Sequence, residues 1–514
     1  QWLKPFRAQS RLVPLSPQSD FPIEEKMGDG KSDLKTVKVV NGQVKHSKSK
    51  LGKLLIILLI GLALAHLPKP DVIPVEGWRM QAIFATTILA IALEPLPVGA
   101  IAIVSLTVAV VTRTVAFVDA LSGFTNEVIW LVVIAFFLAR AFEKTRLATR
   151  LALIFVRAFG RTTLGLAYGV ILAEVLLGLA MPSSAARAAG VLYPLVTAMS
   201  TEAGDADIGG FLLLSTFQAN SHSSALWVTG AATNFLSLDL AKPWHSAQGS
   251  EFLEWLAPSC VPAIFGLIMC PVLADRLRPP KRRSTPELPK QAEAKLKAMG
   301  PMSIDEKVLF TIVVVMVYMW SATTVRPVIT GLMGLSALLL TGIIEWKDCI
   351  EDKKVWDIFV WFSLLVGLSA QLNNLGVIQW FGTTAGSMMA KSGLPWQAEF
   401  TVLALLYYYS HYFFASQVAH ISALFPPVMA ILVSAGCPPK LAALSLAYIG
   451  NIFSSLTNYS SAQAPVFYSA GHFSLQEWWK VNFIFSLANM FVWLVIGQMW
   501  WYSIGLYSAP DLAV

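Results

Sequence analysis

Leu177-Gly-Leu-Ala-Met-Pro-Ser-Ser-Ala-Ala-Arg-Ala-Ala-Gly-Val-Leu-Tyr-Pro194 is a run of small and hydroxyl residues inside hydrophobic sequence, and it carries one arginine, Arg187. It has an echo. Tyr412-Phe-Phe-Ala-Ser-Gln-Val-Ala-His-Ile-Ser-Ala-Leu-Phe-Pro426 again places a serine ten residues before a proline, so Ser416 and Pro426 repeat the spacing of Ser184 and Pro194. Backbone that leaves the helix at membrane depth is tolerated only where protein or a water-filled cavity satisfies it. Two matched interruptions therefore predict a solute site between two repeats of a membrane carrier.

Composition supports a bilayer setting. Of 514 residues, 55% are hydrophobic and only 13% charged, about half the charged share of an ordinary soluble domain, and mean hydropathy is positive. The net charge of +7 does not point to nucleic acid, because the basic residues gather in the N-terminal tail, at Arg140 to Arg161 and at Arg276 to Lys297, where they flank hydrophobic runs. That is the pattern of charges retained on one side of a membrane. Cys260, Cys270, Cys349 and Cys437 lie far apart, form no CxxC and join no His/Cys cluster, so neither a zinc site nor a disulfide framework is expected. No metal or cofactor is expected either.

Along the chain, residues 1–50 mix Lys, Ser, Pro and acids without apolar periodicity and read as a disordered tail. Its first residues, basic and Ser-containing, resemble a transit-peptide remnant only faintly. Residues 51–275 form a first membrane half. Its hydrophobic runs lie at Leu51 to Leu67, Met80 to Leu93, Val98 to Val111 and Val128 to Arg140, followed by a re-entrant hairpin over 164–195. Next comes Phe211 to Ala241, expected to break at Ser221-His-Ser-Ser224 and at Gly230 to Asn234, and then a span around Ala257 to Leu273. Residues 276–307, polar and Pro-rich, read as a basic linker. Residues 308–508 repeat the first half weakly, with spans at Val308 to Trp320, Val328 to Ile344 and Asp357 to Leu372. A second hairpin follows around 400–430, then a span from Leu444 to Phe467 interrupted at Ser454 to Ser461. Counting spans on each side of the linker predicts inverted repeats in an all-α integral membrane protein of about 11 transmembrane helices.

These strings resemble the divalent anion:sodium symporter family. Within it they resemble the plastid 2-oxoglutarate/malate translocators and the related bacterial dicarboxylate and citrate/succinate antiporters. The likeness spans about residue 51 to 508 and is carried by Pro182-Ser-Ser-Ala-Ala-Arg187, His411 to Ser416 with Ala419-His420-Ile421, Thr457-Asn-Tyr459, Ala464-Pro-Val-Phe-Tyr468 and Lys297 to Ser303. The resemblance implies a homodimer of scaffold and transport domains, two hairpins whose tips meet at a small dicarboxylate, and elevator-type movement. It also implies a plastid inner envelope or, alternatively, a bacterial inner membrane. Sodium-coupled members carry Ser-Asn-Thr at each tip. Here Ser183-Ser184-Ala185 and Ser416-Gln417-Val418 stand instead, so the family pattern implies sodium-independent exchange, with sodium-coupled dicarboxylate symport as the alternative.

A dicarboxylate needs donors at both ends, and serine hydroxyls, half-helix N-termini and a fixed cation supply them. The expected substrate-binding residues are Ser183, Ser184, Arg187, Asn234, Ser416, Gln417, His420, Thr457, Asn458 and Gln463. Each has a plainer reading. Small residues permit close helix packing, His420 serves as an interior histidine, and the amides satisfy broken backbone. Arg187 pairs with Glu174 thirteen residues before it, or else holds a substrate carboxylate. His411 and His222 read as packing histidines. No GxSxG elbow, HExxH or paired intramembrane Asp motif occurs, which argues against an intramembrane hydrolase or any other enzyme. The paired hairpins favour a carrier over an anion channel.

Overall fold

A computed structural model describes residues 48–507, except 94, 204, 246–249, 391–392 and 415. The tail expected over 1–50 therefore lies outside the described residues up to Ser47, and Lys48 already opens the first helix. Among the described residues every element is helical, with one isolated β-bridge between Thr162 and Ser284.

The first half runs through α1 (Lys48–Ala65), α2 (Val75–Leu93), α3 (Val98–Val111), the single turn α4 (Phe117–Ala120) and α5 (Glu127–Thr145). Asn126 starts α5 by accepting the Val128 N–H at 2.8 Å. Arg146, in the left-handed region at φ 61°, then turns the chain into α6 (Leu147–Phe159). The first hairpin follows as α7 (Thr163–Ala180), a non-helical tip, a π-helical stretch Ala186–Leu192 and α8 (Tyr193–Ala203). Its second arm runs past the expected end at residue 195. Pro194 brings no N–H to the ladder, and the residues before it take the wider π spacing instead of ending the helix. After it come α9 (Ala206–Leu226), α10 (Ala232–Ala241) and α11 (Glu251–Leu277).

One expectation for this half needs correcting. Helix α9 passes unbroken through Ser221 to Ser224, and the only break lies at Trp227–Ala231. The polar run stays helical because its side chains are bonded within the bundle. Gln218 donates to Asn482 at 2.7 Å, while His222 Nε2 meets Asn489 Oδ1 at 3.0 Å and His222 Nδ1 accepts from Trp493 at 3.2 Å. The α11 backbone approaches so closely that a Cβ on Gly266 would stand 2.1 Å from His222 Nδ1.

The segment expected as a linker forms an ordered strap. It contains α12 (Glu287–Met299), whose Leu288 and Ala292 are buried as α12 packs on α6. It pairs with the α6–α7 corner through Thr163 N–H to Arg283 O at 3.1 Å and Thr285 N–H to Arg161 O at 2.9 Å. Its far end is fixed by Arg150, which donates to both oxygens of Glu306 at 2.7 and 3.0 Å and to Gly300 O at 2.8 Å.

The second half comprises α13 (Ile304–Ala322), α14 (Pro327–Leu340), the short α15 (Trp346–Glu351), α16 (Lys353–Asn374), α17 (Val377–Ala390), α18 (Trp396–Tyr409), α19 (Gln417–Ser434), α20 (Pro439–Ile452), α21 (Ala464–Ser469), α22 (Leu475–Phe491) and α23 (Gly497–Ser503). A π turn at Val492–Ile496 continues α22 into α23. Among the described residues five segments are each long and apolar enough to cross a membrane: Thr163–Ala180, Glu251–Leu277, Lys353–Asn374, Gln417–Ser434 and Leu475–Ser503. The second hairpin is α18, a 3-10 turn at Ser410–Phe413, a tip and α19. Pro426 and Pro427 lie inside α19, so they do not end this arm either.

Candidate functional site

Met181 leaves the α7 ladder in an extended conformation, and Ser183 caps the second arm by accepting the Ala186 N–H at 3.2 Å. Arg187 follows one turn later. It and Glu174 are both wholly buried, with the guanidinium Nε 2.9 Å from the carboxylate. Arg187 also donates to Gly230 O at 2.7 Å, to Ser224 Oγ at 2.9 Å and to Met181 O. Four of its five N–H donors are thus engaged by a carboxylate, a hydroxyl and two carbonyls. Of the two arrangements open to Arg187 in the sequence, the structure contains the pair with Glu174.

The network extends outward from that pair. Asn220 donates to Glu174 at 2.6 Å and to Ser184 O at 3.4 Å, and it accepts from Gln463 at 3.0 Å. A side chain of the second half thereby reaches the first hairpin tip. The helix break is held just as closely. Asn234, on the first turn of α10, directs its amide N–H groups at Ser224 O, Trp227 O and Val228 O at 2.9, 2.9 and 3.2 Å. Its own oxygen accepts from Asn451 at 2.6 Å.

On the second hairpin, Ser416 caps α19 by accepting the Ala419 N–H at 3.4 Å, and Gln417 donates to Gly450 O at 3.0 Å. Gly450 and Asn451 are neighbours on α20. One short stretch therefore links the second tip to the break after the first hairpin. Among the described residues no hydrogen bond joins the two tips directly.

His420 stacks on Tyr407 with ring centroids 4.8 Å apart, and its ring lies 5.0 Å from that of His411. The partners fix both tautomers. His411 Nε2 must donate to Ser460 O at 2.8 Å, and Ser410, which gives its proton to Tyr407 O, must accept from His420 Nε2 at 2.9 Å. Both Nδ1 lone pairs are then buried without a hydrogen-bond partner among the described residues. Thr457 turns inward, its hydroxyl accepting from Tyr459 N at 3.3 Å, whereas Asn458 turns toward Trp479 Nε1 at 3.3 Å.

The expected residues thus separate by exposure. Ser184, Ser416, Gln417 and Asn458 are partly exposed, whereas Ser183, Arg187, Asn234, His420, Thr457 and Gln463 are buried. Helices begin at or beside the two tips and again at Ala232 and Ala464, each presenting N–H groups suited to an anion. Asn220, Ser224 and Asn451 were not among the expected residues. For Asn220 and Ser224 the one signal was the density of amides and hydroxyls from Gln218 to Ser224 within an apolar span, and Asn451 carried none.

Comparison with known proteins agrees with this architecture. The spinach (Spinacia oleracea) protein named dicarboxylate transporter 2, chloroplastic, is 40% identical over 472 residues, covering 90% of this chain and 84% of the relative. The L-tartrate/succinate antiporter of Escherichia coli is 30% identical over 479 residues, covering 88% and 97%. Among solved structures, the Neisseria gonorrhoeae efflux pump MtrF shares the fold with a TM-score of 0.55 at 13% identity, over 91% of this chain and 98% of that one. The profile described as the sodium:sulfate symporter transmembrane region matches residues 48–507, and the chain accordingly belongs to that family of membrane transporters, the divalent anion:sodium symporters.

Proposed function

We propose that this chain exchanges one dicarboxylate for another across a membrane, without sodium, in the manner of the plastid 2-oxoglutarate/malate carriers. The observation that carries the reading is the setting of Arg187. Its guanidinium fills a ring of two carbonyls, a hydroxyl and a carboxylate at the first hairpin. Oxygen sets of this kind suit a hard cation, and here the chain supplies its own. The missing tip asparagines point the same way, and the antiporter among the relatives supports exchange.

In this reading Arg187 with Glu174 forms the fixed wall of the site and adds little net charge. Ser183, Ser184, Ser416 and Gln417, with the N–H groups beside them, hold the two carboxylates. His420 Nδ1 accepts the hydroxyl of a hydroxydicarboxylate such as malate. Asn234, Thr457, Asn458 and Gln463 shape the floor. An empty site would carry unsatisfied polar groups through the membrane, which is costly, so the return step requires a counter-anion. The carrier works as a homodimer, its hairpins moving with the transport domain against a scaffold. The chloroplastic relatives support a plastid location, which we read as the inner envelope, and the bacterial ones support an inner membrane as the alternative.

The test is uptake of labelled malate into proteoliposomes preloaded with mono-, di- and tricarboxylates and amino acids, with and without sodium. Uptake that needs an internal dicarboxylate and ignores sodium is expected. Strong uptake into empty vesicles driven by a sodium gradient would overturn the proposal in favour of symport.

A further inference from the structure

Helices α1, α2 and α3 enclose a groove of about 980 Å³ that takes no part in the site above. Its wall is formed by apolar faces, among them Leu54, Ile57 and Leu62 of α1, Ala82 and Ile83 of α2, and Val104 of α3. The charge is all at one end. His66, Lys69 and Arg79 line the mouth where α1 finishes and α2 begins, while Asp71 and Glu76 of the same region are not part of the wall.

The mouth is held in shape. Lys69 Nζ donates to Ile73 O at 2.8 Å and to Pro70 O at 3.0 Å, and Trp78 Nε1 donates to Leu67 O at 3.0 Å. Arg79 is exposed and makes no ion pair or hydrogen bond among the described residues. A guanidinium at the rim of an apolar groove in a membrane protein is suited to a headgroup phosphate, which it grips through paired N–H donors.

Length narrows the occupant. From Leu54 to Ala65 the groove follows α1 for about 17 Å, close to the roughly 15 Å depth of one leaflet's hydrocarbon. A membrane helix of a partner would need twice that depth. We infer that the α1–α3 groove is a binding site for one anionic diacyl lipid, its acyl chains along α1 and its phosphate at Arg79, Lys69 and His66. Basic residues at a membrane surface favour anionic lipid, and the apolar wall adds the chains.

Native mass spectrometry of the full chain, released from nanodiscs of phosphatidylglycerol and phosphatidylcholine in equal amounts, provides the test. Retained phosphatidylglycerol in excess over phosphatidylcholine is expected for the wild type. Retention should weaken roughly fivefold for each cation removed in Arg79→Gln and Lys69→Gln. Val104→Trp, which fills the groove from the middle of α3 and leaves the mouth intact, should abolish the thermal shift produced by added phosphatidylglycerol while the lipid-free protein melts as before. Equal retention of the two lipids, or unchanged retention in the double cation variant, overturns the inference. So does efficient cross-linking of two copies through Leu62→Cys, because the groove would then be filled by a second protomer.

Discussion

Glu174 and Arg187, thirteen residues apart in sequence, face each other across the first hairpin at 2.9 Å with no contact to solvent. The pair ties the first arm to the second, and through Ser224 and Gly230 it ties both to the broken helix behind them. Glu174→Gln leaves a buried guanidinium without a counter-charge, and breaking such a pair costs about 3–5 kcal/mol. A large fall in melting temperature of the detergent-solubilised protein is expected, matched by Arg187→Ala. The double variant Glu174→Gln/Arg187→Met should recover part of the loss. If Arg187→Ala melts like wild type and only malate affinity falls, the arginine is a substrate ligand and not a wall.

Asn234 serves three carbonyls at the break and accepts from Asn451. Replacing it by Leu orphans those groups at roughly 1–3 kcal/mol each, so Asn234→Leu should give little folded protein. Asn451→Ala removes a single donor to Asn234 and should be milder. Size-exclusion yield and thermal melting separate the two.

Ser184 and Ser416 are the partly exposed tip hydroxyls, and each is proposed to meet a substrate carboxylate. Loss of a hydrogen bond to a charged group is worth about 1.5–3 kcal/mol, so Ser184→Ala and Ser416→Ala should each raise the Km for malate exchange by about 10- to 100-fold. Folding should be little changed by Ser184→Ala, and Ser416→Ala should cost it about one helix cap, roughly 0.5–2 kcal/mol. His420→Phe should penalise malate more than succinate, since succinate brings no hydroxyl to Nδ1. Equal losses for the two substrates would remove His420 from the site.

The strap supplies a test of its own. Glu306→Ala strands the Arg150 guanidinium, which is nearly buried, and should free the linker from α6. Limited trypsin treatment should then cut faster at Lys281 to Arg283 than in the wild type. Resistance in the variant would mean that the bridge at Thr162 and Ser284 holds the linker alone.

An inverted relation of the two halves, expected from the span count, predicts sidedness. Single cysteines at Ser284, in the strap, and at Thr324, between α13 and α14, should label from opposite faces in sealed vesicles with a membrane-impermeant maleimide. Labelling of both from one face contradicts inverted repeats.

What was readable in the sequence was whatever local chemistry decides. The two tips announce themselves because serine and proline interrupt hydrophobic runs, and Val98–Val111 was readable to the residue because Pro97 starts it and Thr112 ends it. The course of α9 was not, since hydroxyl and amide residues read as a break unless their partners are known, and those partners, Asn482, Asn489 and Trp493, lie more than 260 positions away. The order within the linker was not legible for the same reason. Its composition is that of a loose connection, and its order comes from backbone pairing and from Arg150, neither of which leaves a local trace. Glu174 and Arg187 were visible as two possible roles, and only the fold could choose the pair.

The close approach of α11 to α9 constrains how this chain can change over evolutionary time. Alanine at position 266 would collide with the ring of His222, so that position can vary only in a lineage that has already lost the histidine. Losing the histidine first leaves Asn489 and Trp493 with polar atoms facing nothing. Single substitutions at these four positions therefore each carry a packing or hydrogen-bond cost that a matched change at another of the four could relieve. Positions 222, 266, 489 and 493 should accordingly be inherited as a block, even where the helices around them drift.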